Sequence, residues 1–266
     1  MRIKRSLIFI VFLVIFPFFF VGLSSLFHVR KIKAPLLPIA SAPASFETLR
    51  SLEGPFRFLG QGRQSFAFVS ANDQWVLKFF NQNYFHLPLY ASWSSEEKEK
   101  REKRKTYYKE SYLIAEKFLK EETGIIYLHL GKSKEELPTI ELIDSLGFSH
   151  TVDLNTVPFV LQKKGTPLYA AIELKIREQK FIEANALIEQ FFSLIRHRIS
   201  QQIGDKDHDV EHNFGVANGK ILHLDPGRLY LDPNLQTEKA QDKQWWSSTH
   251  RFTQWLSIFS DHEIIK

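Results

Sequence analysis

Four short stretches hold the residues that could do chemistry. The first is Leu59-Gly60-Gln61-Gly62-Arg63-Gln64-Ser65-Phe66, with two glycines set between segments of strand character. Lacking a Cβ, Gly60 and Gly62 would let backbone N–H groups approach a phosphate closely. The second is Val76-Leu77-Lys78-Phe79-Phe80, a lysine inside an apolar strand. Lysine is seldom buried alone, so Lys78 asks for phosphate oxygens and a carboxylate as partners. The third is Asp207-His208-Asp209-Val210-Glu211-His212-Asn213, and the fourth is Leu224-Asp225-Pro226-Gly227. Asn213 and Asp225 stand at the two ends of an expected hairpin, which brings an amide oxygen and a carboxylate together. Both are hard oxygen ligands suited to Mg²⁺, which takes few protein groups and prefers phosphates. His208 and His212 would share one face of a helix and could then bind zinc, the signature of a metal-dependent hydrolase. Gly204 and the run of aspartates favour a loop there instead, where that spacing loses its meaning.

The elements that must position these residues are legible from periodicity. Phe56–Leu59, Phe66–Ser70 and Trp75–Phe80 read as three consecutive strands, with Ala71-Asn72-Asp73 as turn chemistry between the last two. Glu96 to Glu122 reads as one long helix, charged all round at first and then apolar on a face of Tyr107, Ser111, Ile114, Ala115 and Phe118. Short strands follow at Thr139–Ile143, Leu146–Leu154 and Pro158–Gln162. Phe181 to Ile199 is an apolar-faced helix, Asn218-Gly219 is a hairpin turn, and Trp245 to Phe259 is an amphipathic helix. Strands, helix, strands, helix, loop, hairpin, helix is the order expected of a sheet-rich first lobe and a helical second lobe, with a ligand cleft between them.

Taken together, in this order, the four stretches resemble the protein-kinase-like superfamily, including its small-molecule and aminoglycoside-type kinases. The resemblance spans about residues 54 to 230. It implies an α+β, bilobal kinase-like fold, with an antiparallel sheet plus helix in the first lobe and a mainly helical second lobe. It implies ATP and Mg²⁺ as cofactors, with Gly60 and Gly62 in a glycine-rich loop, Lys78 on the phosphates, and Asn213 and Asp225 on the metal. Pro158–Lys164 would run into a hinge that meets adenine. The carboxylate that tethers the lysine would be Glu110, at the edge of the apolar face, with Glu116 turned further to solvent. The position of the family's catalytic aspartate is His208, flanked by Asp207 and Asp209, and either of these would accept the acceptor hydroxyl's proton. The chain departs from the family in four further ways: Ser65 for the third glycine, Pro226 for phenylalanine, no His-Arg-Asp triplet, and no Ala-Pro-Glu segment. Two readings follow: a kinase-like phosphotransferase, or a catalytically inactive pseudokinase used as a binding module.

Composition sets the frame. The chain has 266 residues, 44% hydrophobic and 24% charged, enough for one two-lobed domain with a sizeable core. No cysteine is present, which excludes disulfides, thiolate zinc sites and cysteine nucleophiles. Leu7 to Phe27 is apolar almost throughout, about the length that crosses a bilayer as a helix. It reads as a single-pass anchor, with a cleaved signal peptide as the rival. Arg2, Lys4 and Arg5 before it are balanced by Arg30, Lys31 and Lys33 after it, so the side of the membrane is open. The division expected is an anchor over 1–33, a Pro/Ala/Ser linker over 34–50, a first lobe and hinge over 51–164 and a second lobe over 165–266. Nucleotide, the membrane and a protein are the expected partners. The basic residues show no interleaved stacking aromatics of the kind nucleic-acid binding needs.

Overall fold

A computed structural model describes residues 27–82 and 95–262. The first part contains β1 (Leu37–Ala40), α1 (Phe46–Ser51), β2 (Phe56–Gln61), β3 (Ser65–Ser70), β4 (Trp75–Phe80), α2 (Ser95–Phe118), α3 (Lys120–Thr123), β5 (Ile125–His129), β6 (Gly131–Lys132), β7 (Thr139–Ile143), β8 (Ser149–Asp153) and β9 (Phe159–Lys163). Seven of these strands form one sheet in the order β5-β9-β4-β3-β2-β7-β8, curled into a half-barrel. All neighbours run antiparallel except β2 and β7, which run parallel.

Period-two alternation decides what each face of the sheet meets. In β4, Leu77 and Phe79 enter a core shared with Phe66, Phe68, Phe159 and Leu161. Lys78 and Phe80 must then emerge on the opposite face, where Phe80 packs with Tyr108, Tyr112 and Ala115 of α2. The β3–β4 turn uses the chemistry its sequence offers. Asp73 sits at φ +62°, and Asn72 Oδ1 accepts from the Gln74 N–H and the Ser70 hydroxyl.

The second part interleaves helices with short strands: β10 (Thr166–Pro167), α4 (Leu168–Arg177), α5 (Phe181–Ser200), β11 (Ile203–Asp205), α6 (Val210–Asn213), β12 (Phe214–Ala217), β13 (Lys220–His223), β14 (Leu229–Leu231) and α7 (Glu238–Leu256). α4, α5 and α7 bury Ile172, Phe191, Ile195 and Phe252 against Phe214 and Ile221 of the β12–β13 hairpin. Asn218 and Gly219 both have positive φ, 51° and 74°, as a two-residue primed turn requires.

These observations overturn the bilobal kinase-like architecture expected from the sequence. The sheet is mixed rather than antiparallel, because the β7–β8 hairpin joins β2 in parallel and extends the curl. The second part is not a helical lobe: among the described residues no helical bundle forms, and two small sheets, β10-β12-β13 and β11-β14, are built into it. No described helix is long and apolar enough to cross a membrane. The apolar run Leu7 to Phe27 lies outside the described residues except for its last member. Phe27 is buried, edge-on to Phe66, Phe68 and His150.

The stretch read as a linker carries β1, which pairs in parallel with β6, and Ser41, whose hydroxyl donates to the Gly131 carbonyl. The long helix ends at Phe118, and Gly124 at φ +63° closes the short turn that follows it. Its covered face is Tyr108, Ser111, Tyr112, Ala115 and Leu119, rotated from the expected one and leaving Phe118 37% exposed.

Candidate functional site

Lys78 stands mid-sheet, opposite Ala67 on β3 and Val160 on β9. Its ammonium donates to the Leu224 carbonyl at 2.5 Å. Burial lowers its pKa, and the Asp225 carboxylate nearby partly offsets this. Among the described residues it forms no ion pair within 4.0 Å.

The β12–β13 hairpin brings Asn213 and Asp225 together. The Asn213 carbonyl accepts from the N–H of Leu224 at 2.6 Å and from that of Asp225 at 3.3 Å. The Asn213 side chain is buried, and its Nδ2 has no hydrogen-bond partner. Such a group carries an uncompensated desolvation cost. Among the described residues no three His, Asp or Glu side chains gather as a metal site. The donor set of one carboxylate and one amide therefore suits Mg²⁺ sharing phosphate oxygens, and not a protein-only cage.

Helix α2 grips the segment after Asp225. The Ser111 hydroxyl donates to the Pro226 carbonyl and accepts from the Leu229 N–H at 2.6 Å. The Tyr107 hydroxyl donates to the Arg228 carbonyl at 2.9 Å, and that of Tyr112 to Asp225 Oδ1 at 3.4 Å. Burial, with Tyr108 and Asp225 close by, raises the Tyr112 pKa well above its usual value, so it stays a donor. Glu110 is exposed on this helix, and no bond joins it to Lys78. Glu116, expected nearer solvent, is the more covered of the two, and burial raises its pKa. The helix thus meets the segment from Asp225 to Leu229 with hydroxyls, because its inward face is set by Tyr108 and Tyr112. The tyrosine pair and Ser111 at helical spacing were the sequence signal for this, masked by the choice of the neighbouring stripe.

Gly60 pairs with Ala67 beside a register shift, and Gly62 N–H bonds the Ser65 carbonyl at 2.9 Å to close the β2–β3 turn. Neither has positive φ. A Cβ on Gly60 would meet nothing within 4 Å, and one on Gly62 only the Ser65 carbonyl at 3.9 Å. Neither the fold's backbone nor its packing requires glycine at these two positions. At the far end of the sheet β9 leads into Gly165, where a pocket of about 360 Å³ is lined by Trp75, Lys163 and Val216.

The aspartates separate by role. Asp205 is buried and accepts from Arg198 Nη1 at 2.7 Å, while Arg198 Nη2 donates to Ser248 at 2.7 Å. This pair ties α5, β11 and α7 together, and His223 lies 3.6 Å from the same carboxylate. Asp209 caps α6, accepting from the His212 N–H at 3.2 Å and lying 3.0 Å from the His212 ring. Asp207 is half-exposed and faces Arg228 Nε at 3.7 Å, beyond hydrogen-bond reach. Asp207 Oδ1 also accepts from the Asp209 N–H at 3.3 Å, so of the two candidate bases Asp209 holds the α6 cap and Asp207 the turn before it. His208 Nε2 lies 3.0 Å from the Asp205 carbonyl, outside the four-residue α6 that carries His212, so the two histidines do not share a helix face. Arg198 was missed in the sequence, although it continues the buried stripe of Phe191, Leu194 and Ile195 with a charge.

No known protein-family model matches the chain, and no curated protein matches it.

Proposed function

We propose that this protein binds ATP with Mg²⁺ and transfers the γ-phosphoryl group to a hydroxyl acceptor. The observation that carries the reading is Lys78: a sheltered ammonium held by one main-chain carbonyl beside Asp225, without an ion pair. Burying an ammonium this way costs stability, and such sites are candidates for function. Lys78 would bind phosphate oxygens, and the β2–β3 turn that carries Gly60 and Gly62 would lie over them without side chains to block their approach. Asp225 and Asn213 would hold Mg²⁺, which when bound neutralises charge on the phosphates. Asp207 would accept the proton of the attacking hydroxyl as that hydroxyl's oxygen bonds the γ-phosphorus and the bond from the γ-phosphorus to the bridging oxygen breaks, releasing ADP. The pocket at Gly165 would receive the base. The local resemblance of these residues to kinase-like enzymes supports the reading, independently of overall architecture. The apolar run before Phe27 would keep the protein at a membrane.

The test is the melting temperature of the full-length chain titrated with ATP, with and without Mg²⁺. A Mg²⁺-dependent rise that disappears in Asp225→Ala supports the site, and an unchanged rise in that variant refutes it. A second reading, a nucleotide-binding module without turnover, is favoured by the capping role of Asp209 and by Arg228 opposite Asp207. Asp207→Asn separates the two: an enzyme loses ATP consumption and keeps ATP binding, whereas a module shows no consumption to lose.

A further inference from the structure

A second candidate site stands at Gly227, two residues after Asp225. A pocket of about 350 Å³ is lined by Gln64, Lys103, Tyr107, Lys206, Gly227 and Arg228, among others. Three of these six are cations. Lys206 holds its ammonium 4.5 Å from the Tyr107 ring centre and 4.9 Å from that of Tyr230. Two aromatic faces fix its position, and among the described residues it has no ion pair. The Lys206 backbone N–H donates to the Arg228 carbonyl at 3.2 Å, and the Tyr107 hydroxyl donates to the same carbonyl, so the main chains that carry the two cations are joined to the phenol at one point. The Arg228 guanidinium stands 3.7 Å from Asp207, leaving its donors without a hydrogen bond there. Lys103 closes the rim from α2, paired with Glu99 at 2.7 Å on the exposed surface.

Gly227 is the floor and must be glycine. A Cβ there would lie 2.4 Å from Tyr108 Cε2, 3.0 Å from Gln64 Oε1 and 3.1 Å from Asp225 Oδ1. The pocket is thus shaped by a forced close approach of the β2–β3 turn, α2 and the segment after Asp225. Glu99 and Asp207 face Lys103 and Arg228, and Asp225 Oδ1 stands beside the floor at Gly227, whereas among the described residues no carboxylate pairs with Lys206. A planar guanidinium and an ammonium lining one pocket match the oxygens of a dianionic phosphate better than a single carboxylate.

We infer that this pocket binds a small phosphate monoester, or the phosphate ion itself, through Lys206 and Arg228. The site stands on its own residues and does not depend on nucleotide binding at Lys78.

The test is calorimetric titration of the full-length chain with glycerol phosphate, with inorganic phosphate, and with glycerol as the uncharged control. Saturable binding of a phosphate species and none of glycerol is expected. Lys206→Gln and Arg228→Gln should each weaken it by about ten-fold or more, as expected for lost charge-assisted bonds. Arg228→Lys, which keeps the charge and loses the fork, should weaken it less, and Lys103→Gln at the exposed rim should weaken it least. Lys78→Met should leave it unchanged. Tighter binding of the ester than of inorganic phosphate assigns the site to an organic phosphate, and equal binding assigns it to the free ion. Undiminished affinity in both Lys206→Gln and Arg228→Gln, with unchanged melting temperatures, would overturn the assignment. So would loss of binding in Lys78→Met alone, which would place the anion at the other site.

Discussion

Lys78 donates its ammonium to the carbonyl of Leu224, the residue immediately before Asp225, so the lysine of β4 and the carboxylate after β13 are joined through one peptide unit. The link runs between sheet and hairpin and bypasses α2. It makes the spacing between Lys78 and Asp225 a property of the β12–β13 turn, closed from below by the Asn213 carbonyl.

Replacing that lysine separates stability from binding. Lys78→Met removes a desolvated ammonium and keeps the apolar stem, a change often neutral or stabilising in a buried setting. Urea unfolding should show stability held or raised, while the Mg²⁺-ATP rise in melting temperature falls away. A variant that melts earlier and still binds ATP would contradict the role given to Lys78.

The glycines divide into two kinds. Gly60→Ala adds a methyl into open space at an ordinary φ and should leave the melting temperature unchanged or slightly higher. Its effect should appear in ATP affinity. Gly227→Ala drives a methyl into the Tyr108 ring and should cost about 1–3 kcal/mol, the usual penalty for overpacking. Parallel denaturant titrations of the two variants decide this.

Ser111 is the peg between α2 and the segment that carries Asp225. Ser111→Ala would strand the buried Leu229 N–H and the Pro226 carbonyl, at a cost of about 1–3 kcal/mol. Hydrogen exchange at Leu229 should quicken in this variant, with little change in the melting of the α4–α5 region. Equal exchange in both proteins would mean that the hydroxyl is not what holds the segment.

The Arg198–Asp205 pair is buried on both sides. Arg198→Ala leaves a carboxylate without its cation and should destabilise by about 3–5 kcal/mol, whereas replacing both partners by apolar residues should recover much of that loss. Chemical denaturation of the two single variants and the double variant measures the coupling.

Acid should loosen the fold through its buried imidazoles. Burial lowers the His129 pKa to about 4, and among the described residues neither ring nitrogen has a hydrogen-bond partner. The folded pKa lies below the unfolded one, so the unfolded chain binds the proton more readily. Stability from this group is complete above about pH 6.5 and is lost as pH falls towards about 4, to an extent of about 3 kcal/mol. His223 is lowered by burial, by Arg198 and by Lys78, and acts in the same direction. His129→Leu should flatten the stability profile between these pH values. An unaltered slope would place the acid sensitivity elsewhere.

Local chemistry was legible in the sequence where one strand or turn decides it. Asn218-Gly219 forced the hairpin that unites Asn213 with Asp225, and the apolar run around Lys78 placed β4. Long-range pairing was not legible. Nothing in Thr139–Ile143 says that it will lie parallel to β2, because both strands alternate alike and register depends on what the opposite face meets. The face of α2 was misjudged because Tyr107 and Tyr108 are equally apolar in pattern and only packing against Phe80 separates them. For the same reason Glu110 was given to Lys78, when the rotated helix turns it outward. Asp205 was read among its neighbours as one acid in a loop. Its burial depends on Arg198 and Ser248, which lie on α5 and α7.

Phe27 rests on Phe66 and Phe68, the residues on either side of Ala67, and Ala67 is the register partner of Lys78. A pull on the chain ahead of residue 27 would therefore be delivered to β3, one strand from the lysine, and not dissipated in slack. The pairing of β1 with β6 adds a second attachment on the same route. The described chain thus begins on β3, the strand paired with that of Lys78, and not on the helices of the second part.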